Sequence, residues 1–189
     1  MEAFSIVTIE NKKNEKFLRA KTHPISPLAR GGFLIDNKEY TRKDIISLIA
    51  RMRKTMQLAN GIGLSANQVG INGKFFIAKV PDAQGNFEFY AVFNPELSAS
   101  GSGKIVMEEG CLSVLGKYGN VSRAERVMLK GIDKNGKPLR IKAWGLLARV
   151  FQHEVDHLNG KLFIDRTKDI HEVPMSERLT TREGIIGSN

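Results

Sequence analysis

The chain has 189 residues, 41% hydrophobic and 26% charged, a mix that can bury one domain-sized core and is neither disordered nor fibrous. Its 29 Lys and Arg against 20 Asp and Glu give a formal charge of +9. That surplus favours polyanionic neighbours but says nothing of the fold. With 7% aromatics and no Gly-aromatic basic run, no specific nucleic-acid ligand is indicated. A single cysteine excludes an internal disulfide framework and points to a reducing compartment. No apolar run approaches the ~20 residues of a membrane span. Glu2 and Glu10 suit neither a signal nor a transit peptide, so the expected location is cytoplasmic, with no membrane partner.

Residues 11–40, broken by charges, Pro24, Pro27 and Gly31-Gly32, read as irregular. A helix is expected from Arg42 to Ala59: Ile45, Ile49, Met52 and Met56 recur at helical spacing, Thr41 and Asp44 form an approximate capping box, and Asn60-Gly61 stops it. Lys74 to Val80 and Phe87 to Phe93 read as strands around a turn at Pro81 to Asn86. A flexible stretch from Ser98 to Gly103 and a short strand from Lys104 to Met107 follow. Arg126 to Asp133 and Pro138 to Trp144 flank Lys134-Asn135-Gly136-Lys137, a strong hairpin signal. A second helix is expected from Gly145 to Leu158, and a loosely ordered tail over 167–189. Helices segregated from antiparallel strands place the chain in the α+β class.

Three segments carry chemistry. His153-Glu154-Val155-Asp156-His157 is an H-E-x-x-H on the second helix; the i and i+4 histidines share a face and can reach one divalent ion, with the glutamate beside a bound water. A catalytic site usually has a third protein ligand. Asp165, His171, Glu172 and Glu183 lie downstream, and Cys111 upstream in Glu108-Glu109-Gly110-Cys111-Leu112-Ser113. The third segment, Gly61-Ile62-Gly63-Leu64-Ser65-Ala66-Asn67-Gln68, is by itself a helix stop and a tight turn, with Gln68 as a neutral donor. These residues leave several readings open: a zinc endopeptidase with a downstream third ligand, a cysteine nucleophile with a histidine base, and, from charge alone, a non-enzymatic ribosome- or RNA-binding module.

Taken together and in order, the Gly61–Gln68 segment, Glu109–Ser113 and Gln152–Gly160 resemble the three signature motifs of the peptide deformylases. The likeness extends over residues 40–166, through Phe93-Asn94-Pro95-Glu96, Val121–Glu125 and Gly145–Arg149. The resemblance implies a metal-dependent hydrolase that removes the N-formyl group from the initiator methionine of new polypeptides, releasing formate. Its catalytic domain would span 1–166, with antiparallel β-sheets around a central metal-binding helix and an N-terminal helix packed alongside. Cys111, His153 and His157 would hold one divalent metal, iron(II) natively, with zinc or nickel able to substitute. Glu154 would act as base and then acid, and the Gln68 side chain and Leu112 backbone N–H would receive the developing oxyanion. Ile62, Leu146 and Val150 would wall the methionine pocket, Gly63 and Gly110 would pair with an extended peptide, and Glu109 with Arg123 would steady the Cys111 strand. N-formylmethionyl nascent peptides are the implied partners, and ribosome association rests on family analogy and net charge. Ser65 stands where the first motif commonly has Ala, Leu115 where a proline is usual, and Tyr118 where some relatives carry Arg. The long basic C-terminal helix of some members is not evident.

Overall fold

The structure, a computed structural model, describes residues 2–81 and 85–173. Helix α1 (Lys12–Leu18) starts at Asn11, whose side chain accepts the Asn14 N–H. Strands β1 (Ser26–Pro27), β2 (Phe33–Ile35) and β3 (Lys38–Tyr40) form a small antiparallel sheet. The expectation of irregular chain over 11–40 is therefore corrected. A seven-residue helix burying only Leu18 and strands of two or three residues are too short to display a hydrophobic period.

Helix α2 (Arg42–Leu58) has both arms of the Thr41–Asp44 capping box and buries Ile45, Leu48, Ile49, Met52 and Met56. Strand β4 (Gly63–Ser65) leads into a 3₁₀ turn (Ala66–Val69), then β5 (Phe75–Pro81) and β6 (Phe87–Ala99). The anticipated turn joins β5 to β6, with Pro81 opposite Phe87; residues 82–84 lie outside the described residues. Ser98 and Ala99, expected to be flexible, pair with Met128 and Val127 as the end of β6. Strand β7 (Lys104–Cys111) runs past the expected Met107, and β8 (Val114–Ala124) was not anticipated. Glycines and polar residues interrupt the alternation of both, and much of β7 is exposed. Strands β9 (Arg126–Ile132) and β10 (Pro138–Trp144) form the expected hairpin, followed by α3 (Gly145–Leu158) and β11 (Ile170–Glu172). β11 pairs with β8, so part of the 167–189 segment is in a sheet; residues 174–189 lie outside the described residues.

The strands form two further antiparallel sheets, ordered β10-β9-β6-β5-β4 and β11-β8-β7. In β5 the alternation has both faces buried. Phe75 and Ile77 join α2 residues in one apolar cluster, while Phe76, Ala78 and Val80 join Ala148, Val150, Phe151, Val155 and Leu158 of α3 in another. Period-2 side chains thus place α2 and α3 on opposite faces of the five-stranded sheet. The β7–β8 ribbon has its own cluster, Cys111, Val114 and Val121 with Leu162 and Phe163.

Candidate metal centre

The site forms where α3, the turn joining β7 to β8, and the β4–3₁₀ segment meet. On α3, His153, Glu154 and His157 fall on or beside one face, as helical spacing requires. Cys111 ends β7: a register shift at Gly110–Cys111 puts it opposite Val114, with Leu112 and Ser113 as the turn. Such a bulge re-aims a side chain out of the regular ladder, and a Cβ on Gly110 would press on the Tyr118 ring at 2.7 Å. Residues 46 apart are thereby joined: Cys111 Sγ lies 3.1 Å from His157 Nε2. Ligand atoms of Cys111, His153 and His157 all lie within 4.8 Å of one another. An ion ~2.3 Å from sulfur and ~2.0 Å from nitrogen with tetrahedral angles needs donors roughly 3.5 Å apart, so the trio fits one ion. Thiolate with two imidazoles is also a donor set suited to iron, zinc or nickel.

Burial pushes the Cys111 thiol up, but His157 and His153 outweigh it and bring its pKa to about 5, which gives a thiolate, the form able to ligate a metal, at neutral pH. Burial lowers the His153 pKa, yet its bonds to Cys111 and Glu109 leave it well above the usual range. Glu154 is 3% exposed; burial raises its pKa against the smaller opposing pull of His153, His157 and Ser65. Ser65 Oγ lies 2.7 Å from Glu154 Oε2 and 3.0 Å from the Glu154 carbonyl, donating to them. A Cβ on Gly63 would collide with that carboxylate, which is why the motif has glycine there. Gln68 is buried, its Oε1 accepting the Ser65 N–H at 2.9 Å and its Nε2 donating to Ser113 Oγ at 3.1 Å. The same Nε2 lies 3.7 Å from Cys111 Sγ.

Behind the histidines is a buried ionic network. Glu109 accepts both arms of Arg123 at 2.9 Å and His153 Nδ1 at 3.0 Å. Burial raises its carboxyl pKa, but Arg123 and His153 hold it well below the ordinary range. Arg123 also donates to Asp156, which Arg166 grips with Nε at 2.9 Å and with Nη2. Sequence reasoning singled out Glu109 and Arg123 but missed Asp156, Arg166 and Arg149. The available signal was charge within an apolar helix pattern: Arg149 and Asp156 are buried on α3.

Of the remaining candidates, Gly63 and Gly110 lie in β4 and β7, the end strands of their sheets. Ile62 is 37% exposed just before β4, whereas Leu146 and Val150 pack into the cluster between α3 and the five-stranded sheet. The downstream alternatives to Cys111 point elsewhere. Asp165 bonds Arg19 and the Leu162 N–H, His171 pairs with Glu108, and Glu172 with Lys117; Glu183 lies outside the described residues. Among the described residues only the Cys111 trio is grouped to hold an ion.

An H-E-x-x-H helix facing a cysteine across an α+β scaffold defines a metal-dependent hydrolase. The polypeptide deformylase family model matches residues 6–173. The peptide deformylase of Halothermothrix orenii is 44% identical over 161 residues, 85% of this chain and 94% of that one. That of Thermodesulfovibrio yellowstonii is 41% identical, covering 74% of this chain and 84% of its own. The solved peptide deformylase from Thermotoga maritima superposes with a TM-score of 0.72 at 32% identity, covering 89% of this chain and 99% of that one. One from Legionella pneumophila gives 0.69 at 34%, covering 96% and 92%. The chain belongs to the peptide deformylase family, metal-dependent enzymes that remove the N-formyl group from nascent peptides. The endopeptidase and RNA-module readings find no support.

Proposed function

We propose that residues 1–166 act as one catalytic domain in which Cys111, His153 and His157 hold the metal and Glu154 moves the proton. The observation that carries this reading is the convergence of sulfur and two imidazoles within 4.8 Å beside a buried carboxylate. When bound, the ion acidifies a water and polarises the formyl carbonyl. Glu154, its pKa raised by burial, takes a proton from the attacking water and later delivers it to the departing amine. The water oxygen adds to the formyl carbon, the C–N bond breaks, and formate and a free N-terminal amine result. Gln68 Nε2 and the Leu112 N–H donate to the oxygen on which negative charge grows.

The substrate is an N-formylmethionyl peptide lying extended between the free edges of β4 and β7. Gly63 and Gly110 offer it backbone partners, and Ile62, Leu146 and Val150 contribute to the methionine pocket. Iron(II) is the native metal in this reading, with zinc or nickel as substitutes; the work is cytoplasmic, and the +9 charge supports association with ribosomes. Anaerobically prepared protein loaded with iron(II) should release formate from a formyl-Met peptide. Absence of formate at full metal occupancy refutes the assignment, as does retention of metal and turnover by Cys111→Ser.

A further inference from the structure

Arg149 lies on α3 one turn before His153 and is only 6% exposed. Its Nη1 donates to Glu109 Oε1 at 2.6 Å and to the Val121 carbonyl at 3.0 Å, and its Nη2 to the Ile105 carbonyl at 2.7 Å. One helical side chain therefore grips both strands of the β7–β8 ribbon and the carboxylate whose other oxygen meets His153. The reaction chemistry makes no use of Arg149, and a buried guanidinium is costly unless its donors are matched.

The donor trio comes from two bodies, Cys111 on the ribbon and the two histidines on α3. The buried apolar residues of α3 belong to one cluster, while Cys111, Val114 and Val121 of the ribbon belong to another. Ala124 at the end of β8 packs on the α3 cluster and bonds Gln152, but elsewhere charged groups span this seam where the apolar clusters divide. We propose that Arg149 is a positioning residue. It braces α3 against β7–β8 at the spacing that brings Cys111 to the histidines, and it holds Glu109 aimed at His153 Nδ1. This rests on the metal-centre reading above.

The test uses cobalt(II)-substituted protein and three variants. Arg149→Met keeps length and apolar bulk but removes every donor; Arg149→Lys keeps the charge without the fork. Loss of an outer partner of a metal-binding histidine typically costs about 10–100-fold in metal affinity. Acting one bond further out, through Glu109, Arg149→Met should lose cobalt to a chelator about 10-fold faster than the parent, the low end of that range, with altered d–d absorption, and Arg149→Lys should fall between. Thermal melting of each metal-free form verifies folding, and Arg149→Lys decides the matter if the methionine variant does not fold. Parental spectra and release rates in the folded variants, even with a lowered Tm, overturn the brace as a determinant of the site. Cys111→Ser run in parallel separates the two levels. If it sheds cobalt while the Arg149 variants behave as parent, the brace alone falls; if it holds cobalt as tightly as parent, the metal centre and the brace fall together.

Discussion

The five-stranded sheet and the β7–β8 ribbon are held against α3 by different physics. Between α2 and α3 the sheet is filled with apolar side chains, among them Phe75, Phe76, Phe93 and Phe151, all 0% exposed. The ribbon meets α3 mainly through the buried charges of Glu109, Arg123, Arg149 and Asp156, with Ala124 and Gln152 adding a neutral contact. Burial of apolar surface is non-directional and tolerates small shifts, whereas a bidentate guanidinium–carboxylate pair prescribes both distance and angle. The proposed metal ligands straddle this boundary, so the region that must be placed most accurately is the one tied by directional bonds.

The largest expected effect lies on the boundary itself. Glu154→Gln should reduce kcat by about 10²–10⁴-fold while metal content stays at one per chain, measured by formate release and elemental analysis. On the apolar side, Phe151→Ala removes a ring packed against Phe76 and Tyr90. It should destabilise by about 3–5 kcal/mol in denaturant unfolding, with the visible spectrum of the cobalt form retained. On the ionic side, Arg123→Met leaves Glu109 and Asp156 short of a partner and should cost about 3–5 kcal/mol; here the cobalt spectrum should change. A double-mutant cycle with Glu109→Gln should show coupling of about 1–3 kcal/mol, and additivity would remove the pair from the account. If both Phe151→Ala and Arg123→Met perturb the metal spectrum equally, the contrast between the two regions is broken.

Smaller effects belong to positions remote from the boundary. Thr41→Ala deletes one arm of the α2 capping box and should cost about 1 kcal/mol without touching turnover. Burial, the largest single influence, raises the Asp133 pKa, but the N–H groups of Lys137 and Asn135 together outweigh it and lower the value. Its contribution to hairpin stability is present above the ordinary aspartate range and is lost as pH falls through the depressed folded value. The Tm difference between parent and Asp133→Asn should therefore be visible at pH 6 and shrink on acidification from about pH 5 to pH 2.

Much of the scaffold was legible where local rules suffice. The α2 capping box, the Asn135-Gly136 hairpin and the bounds of α3 depend on neighbours within one or two turns of chain. The short elements of residues 11–40 and the strand β8 were not legible, because their pairing partners, rather than their own periodicity, hold them in place. Arg149 was overlooked as a functional residue for a related reason: a charge on a helix reads as solvent-facing until the ribbon that covers it is known.

The sequence by itself determined that His153 and His157 share a helix face with Glu154 between them, since 3.6 residues per turn leaves no alternative. Its ordered motifs also identified the family. The family resemblance already set Cys111 beside the histidines and paired Glu109 with Arg123; only the tertiary structure brought Cys111 Sγ to 3.1 Å from His157 Nε2 and added Asp156 and Arg149 behind them. Helical spacing is set by the backbone within a few residues, but the meeting of a strand end with a helix depends on a bulge, a turn and packing contributed by the whole chain.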